Sequence, residues 1–220
     1  MSNRSGWLYN FTSCMVGTVL GIALTFGVDD YVETLKQRET TRRIIEHAIS
    51  SLEDSQVTFD ESLELFRSKD SVFQNVFTYF PDRASEVHSD TIIKVLMSLW
   101  EYEFAVIDYT SENIFMNSMD TWTNKETFEL VNLIGDCYVL VDEMLLHCRK
   151  TRLLKEKFCE SFTNGMRFGF DPHKIIENLF KTEGFFYFVL QYNTFTDHLE
   201  MMIGVLDEQM EKIKEAAALI

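Results

Sequence analysis

The sequence predicts an all-α chain, and three observations carry that prediction. Pro 2 and Gly 9 in 220 residues are too few for the many turns of a sandwich or barrel. Between Val28 and Leu52 neither residue occurs, while apolar side chains return at helical spacing. Boundaries are marked by local signals such as Asn164-Gly165 and Asp171-Pro172. The expected architecture is an N-terminal transmembrane helix (residues 1–28) continuing into a juxtamembrane stalk (29–55), followed by an irregular helical bundle (56–220).

The first element is the run Gly6–Val28, GWLYNFTSCMVGTVLGIALTFGV, whose only ionisable side chains are Tyr9 and Cys14. Its 23 residues suffice to cross a hydrocarbon core about 30 Å thick. Trp7 and Tyr9 at one end and Tyr31 beyond the other occupy aromatic-belt positions. The run exceeds a signal-peptide core, and no A-x-A cleavage site precedes Asp29, so an uncleaved anchor is expected. Ser13, Gly17, Gly21 and Thr25 recur every fourth residue, a small-residue ridge along which two membrane helices can approach closely.

Past Val28 the helix is expected to continue as a stalk. Leu35, Ile45, Ile49 and Leu52 fall on a and d positions of a heptad, with Arg38 and Arg42 interrupting the seam as register-setting polar residues do. A short coiled coil and an amphipathic helix packed on its own domain both satisfy that pattern. Read alone, Lys36, Arg38, Arg42 and Arg43 would place the large domain in the cytoplasm.

A short helix is expected at Thr58–Lys69, then irregular chain through Ser89-Asp90, which reads as the N-cap of a helix over TIIKVLMSLWEYEFAVIDY. Ser111–Asp120 forms a further short segment, and Asn124 caps a long helix reaching about Asn164. Asp171-Pro172 opens another that stops near Gly184, and a last helix runs from about Phe185 to Ala218.

Composition narrows function by exclusion. A formal charge of −15 argues against nucleic acid, whose binding needs clustered Lys and Arg, and against broad attachment to anionic lipid. No Walker loop, G-x-S-x-G, H-E-x-x-H or dinucleotide turn occurs, so no enzymatic activity and no cofactor are expected. Glu143 and His147, with Asp197, His198 and Glu200, come nearest to a metal cluster. Their spacing departs from the Glu-x-x-His pattern of di-metal bundles, and no metal is expected. Cys137, Cys148 and Cys159 recur every eleven residues on one helical stripe, too far apart to bridge one another.

The stretch GTVLGIALTFGVDDYVETLKQRET resembles a family of uncharacterised single-pass membrane proteins common in Bacteroidota, a domain-of-unknown-function family. Gly21, Ile22, Ala23 and Leu24 match its membrane motif, and Tyr31 and Glu33 hold its aromatic and acidic places. SENIFMNSMDTWTNKETFELVNLIGDCY is similar to its second motif. The resemblance implies a single-pass protein of the bacterial inner membrane with a periplasmic C-terminal domain, and supplies no activity.

Two functions follow as expectations. The first is a membrane-anchored interaction or scaffold protein that forms a homo-oligomer, or docks on another membrane protein, through its N-terminal helix. The second is a membrane-bound sensor or effector whose helical domain holds a small apolar ligand against the aromatic segment GFFYFVLQYNTF.

Overall fold

The computed structural model describes residues 3–101, 107–118, 125–166 and 171–218, with helix side chains described outside 3–30, 125–126 and 160–166. Helix α1 (Asn3–Phe77) is followed by a 3-10 turn (Ala84–Glu86), α2 (Ser89–Trp100), α3 (Thr110–Ser118), α4 (Lys125–Met166), α5 (Pro172–Lys181) and α6 (Phe185–Ala217). No strand occurs among the described residues, so the all-helical expectation holds. The chain divides into two compact units, Met1–Glu46 and His47–Ile220.

In the first unit, residues 31–40 are exposed at every position, Tyr31, Val32 and Leu35 included. Arg43 pairs with Glu39 at 2.6 Å and Arg42 with Glu46 at 2.8 Å, both one turn apart on the helix surface. Among the described residues no helix is long and apolar enough to cross a membrane, so the structure gives the transmembrane element no support. The run Gly6–Val28 and its ridge Ser13, Gly17, Gly21 and Thr25 lie outside the described side chains.

The second unit rests on a heptad that the sequence reading broke in two. Leu52, Phe59, Phe66 and Phe73 form one buried series seven residues apart, and Ala48, Ser55, Ser62, Lys69 and Val76 form the other. The expected short helix and irregular segment are therefore one uninterrupted helix to Phe77, since no Pro or Gly intervenes before Pro81 and a continuous stripe is buried. From Ala48 to Phe66 large side chains alternate with small ones, which lets neighbouring helices approach on the small side. Ser55 and Ser62 satisfy their buried hydroxyls on the carbonyls of Ser51 and Thr58, one turn back.

α6 runs antiparallel to this part of α1. Glu53 meets Lys214 at 3.1 Å, Arg67 meets Glu200 at 2.7 Å, and Asp70 accepts from Asn193 at 3.1 Å, one number falling as the other rises. Between them Phe66 stacks on Tyr192 at 5.4 Å and Phe73 meets Phe188 edge-on at 5.3 Å. α4 is antiparallel to α6, with Phe158 against Phe188 at 4.8 Å and His147 against His198 at 5.0 Å, and hence parallel to this part of α1. Such ring pairs add about 0.5–1.5 kcal/mol each beyond the area they bury.

α2 and α5 close one end of this bundle. α2 starts at Ser89 as the sequence suggests, but its cap is His88, whose Nδ1 accepts from the Asp90 amide at 3.3 Å. It stops at Trp100, short of the expected end at Tyr109. The Asp171-Pro172 start is borne out: Asp171 accepts from the amides of His173 and Lys174 at 3.1 and 3.3 Å. Gly184, at φ 87°, holds the left-handed turn into α6 that a side chain would strain. The expected Asn124 cap lies outside the described residues, as do 102–106 and 167–170.

Candidate functional site

The stalk seam divides by exposure. Leu35, Arg38 and Arg42 are exposed, Ile49 is half-buried, and Ile45 and Leu52 are buried. The buried stripe thus shares Ile45 and Leu52 with the seam and takes Ala48, not Ile49, as the alternate position.

The groups weighed as metal ligands come together only in part. His147 on α4 and His198 on α6 lie with ring centroids 5.0 Å apart, and His147 Nε2 donates to the Phe195 carbonyl at 2.9 Å. Burial holds His147 below the ordinary imidazole range, the bond to the Phe195 carbonyl opposes that, and His198 and Lys150 add to the lowering. Glu200 is turned away to Arg67. Among the described residues no three His, Cys, Asp or Glu groups are placed to hold a metal ion.

The aromatic segment of α6 is divided, with Phe186 and Tyr187 exposed and its other side turned into the core. Phe185, Phe188 and Tyr192 are buried, and Tyr192 touches both Phe66 and Phe73. That inner side is packed ring on ring, as a core is. Cys137 and Cys148 are buried and in no disulfide, and desolvation pushes the Cys137 thiol up to about 11. A thiol held protonated in this way is a poor nucleophile. Cys159 donates its Sγ proton to the Leu99 carbonyl at 3.1 Å.

Two features were invisible in the sequence. The first is a pair of buried lysines, Lys69 on α1 and Lys155 on α4. Both Nζ groups donate to the carbonyl of Glu101, the residue capping α2, at 3.1 and 2.6 Å. Lys155 also lies 5.8 Å from the centroid of the Tyr192 ring. Two cations at a helix C-terminus oppose the partial negative charge of its last carbonyls. Nothing in the sequence pairs two lysines so far apart.

The second is a cavity of about 280 Å³ between α1 and the start of α3, lined by His47, Ser50, Ser51, Asp54, Ser55, Thr58, Ile107, Asp108 and Ser111. The α1 members recur at three- and four-residue steps, a polar helix face the sequence does carry, while their partners on 107–111 are brought by folding. Ser55 and Thr58 donate to the carbonyls of Ser51 and Asp54, so their oxygens offer only lone pairs to the cavity. Asp108 accepts from the Thr110 hydroxyl and amide at 2.6 and 2.9 Å, which holds its carboxyl below the usual range and anionic. Ser55, Thr58 and Asp108 thus present acceptors beside the hydroxyls of Ser50, Ser51 and Ser111 and the His47 ring, a polar lining suited to a small polar ligand.

Comparison of the chain with protein-family models, with curated proteins and with solved structures returned no match.

Proposed function

We propose that the chain is a single-pass, membrane-anchored helical interaction protein whose N-terminal helix is its assembly element, with the domain that follows facing the periplasm. The observation that carries this reading is the exposure of residues 31–40 on every side of α1. Tyr31, Val32 and Leu35 are large apolar side chains standing in solvent on that stretch, and a partner would cover them. The uncharged run before it and the ridge Ser13, Gly17, Gly21 and Thr25 support a partner of the same kind, in the membrane. The test is chemical crosslinking in native membranes. Gly17→Ile with Gly21→Ile should reduce the crosslinked species several-fold, and an unchanged yield would sink the ridge as the contact.

A second reading, ligand sensing by the helical domain, is favoured by the polar-lined cavity beside His47 and Asp108. Its check is a thermal-shift screen of polar metabolites against the wild-type chain and Thr58→Leu. A hit that survives Thr58→Leu unchanged would place binding elsewhere.

A further inference from the structure

α4 carries a line of apolar side chains that is exposed among the described residues. Val139, Leu146 and Leu153 are 58%, 51% and 59% exposed and lie seven residues apart, on the side opposite the buried Val141, Met144 and Cys148. At 100° per residue they share one stripe, with one flank formed by Asp136, Glu143, Lys150 and Lys157 and the other by Asp142 and Arg149. Every one of these six flanking residues is exposed. Among the described residues no ion pair engages Glu143, Arg149 or Lys150 within the chain.

The order of the charges is informative. Acids occupy the first half of each flank and bases the second: Asp136 and Glu143 precede Lys150 and Lys157, and Asp142 precedes Arg149. Two copies laid parallel would set acid against acid and base against base. Two copies laid antiparallel about a two-fold axis at Leu146 pair like flank with like flank. Leu146 then meets itself and Val139 meets Leu153. Glu143 faces Lys150, Asp136 faces Lys157 and Asp142 faces Arg149, and each pair occurs twice by symmetry. No position in the register sets like charges together.

We propose that this face of α4 is an isologous interface with a second copy of the chain, antiparallel and centred on Leu146. The occupant is a second copy because the complementarity lies within one helix and is satisfied by its own reverse. A surface built for a partner of another sequence has no need of a charge order that is its own complement when reversed. Three apolar side chains per copy make a narrow seam, so orientation rests on the ion pairs and association weakens as salt rises. The contact is separate from the N-terminal helix and does not depend on it.

The test is oxidative crosslinking of the full chain in native membranes, in the Gly17→Ile/Gly21→Ile background so that the N-terminal helix does not contribute. The parent, with its native cysteines, sets the background. Leu146→Cys alone should give a disulfide-linked dimer. Val139→Cys and Leu153→Cys should each stay at background alone and crosslink when the two are mixed. Self-linking of Val139→Cys or Leu153→Cys would mean a parallel pair and overturn the proposal. So would background yield throughout, or capture of Leu146→Cys by a different protein only. Lys150→Glu should lower the Leu146→Cys dimer yield by about tenfold, on the scale of two pairs turned repulsive. Glu143→Lys added to it should restore the yield, because the swapped charges again face each other. Failure of that rescue would remove the charge register from the argument.

Discussion

Replacing Phe73 by Ala tests the extended α1 most directly, because a purely local reading of the sequence leaves Phe73 in irregular chain. Its ring is fully buried and meets Tyr192 at 4.9 Å and Phe188 at 5.3 Å, both edge-on. Burial of such a ring contributes about 1.5–3 kcal/mol, and two aromatic pairs add about 0.5–1.5 kcal/mol each. The neighbouring helices can close only part of the hole left behind, so about 3–5 kcal/mol is the expected loss. For the unit His47–Ile220 each kcal/mol moves the midpoint by roughly 2–4 °C, giving a fall of roughly 6–20 °C. Urea unfolding followed by far-ultraviolet circular dichroism, in the same detergent throughout, measures the difference. Leu65→Ala on the same helix, at a site 48% exposed, should shift stability by no more than about 0.5 kcal/mol. Equal costs for the two variants would refute the buried heptad and with it the packing of α1 on α6.

The remaining predictions concern the charged groups. Lys155→Ala should destabilise by about 1.5–3 kcal/mol, since it removes a charged donor to the Glu101 carbonyl and the packing of a buried stem; a loss under about 0.5 kcal/mol would show that Lys69 satisfies that carbonyl alone. The lowered His147 sets a pH dependence whose sign is fixed. Folded His147 binds its proton less readily than the unfolded chain, so its contribution is present above the unfolded imidazole range near 6.5. That contribution is lost as pH falls through 6.5 toward the lower folded value. Unfolding midpoints taken from pH 7.5 to 5 should fall, and His147→Gln should flatten that slope; an unchanged slope would assign it to another group.

Local signals were legible because the backbone decides them within a few residues. Asp171-Pro172 announces a helix since an acid can accept from two free amides and Pro has no amide to lose. The heptad from Ala48 to Val76 was not legible in the same way. Ser55, Ser62 and Lys69 sit at buried positions, and a reading that equates burial with apolarity takes each of them as a break. The recurrence of Phe59, Phe66 and Phe73 at seven-residue steps was the available signal. Seam positions suffered from the same ambiguity: Ile49 is as apolar as Ile45, and only packing shows that the smaller Ala48 takes the inner place. The cavity required residues of α1 and 107–111 to meet, a long-range fact with no local counterpart. The helices expected from about Asn124 and Phe185 carry His147 and His198, yet helical spacing alone does not show that the two rings meet or that Glu200 is drawn to Arg67.

The shared carbonyl of Glu101 has a mechanical meaning. It is a fixed point on α2 that Lys69 grips from α1 and Lys155 grips from α4, while Tyr138 Oη donates to the Ala48 carbonyl at 3.5 Å further along the same two helices. Two index marks set the axial register between the long helices. A slide of a single turn, about 5.4 Å, would carry a lysine out of reach at one mark and break the bond at the other. Piston-like travel of α1 past α4 by a turn would therefore cost contacts at both marks at once.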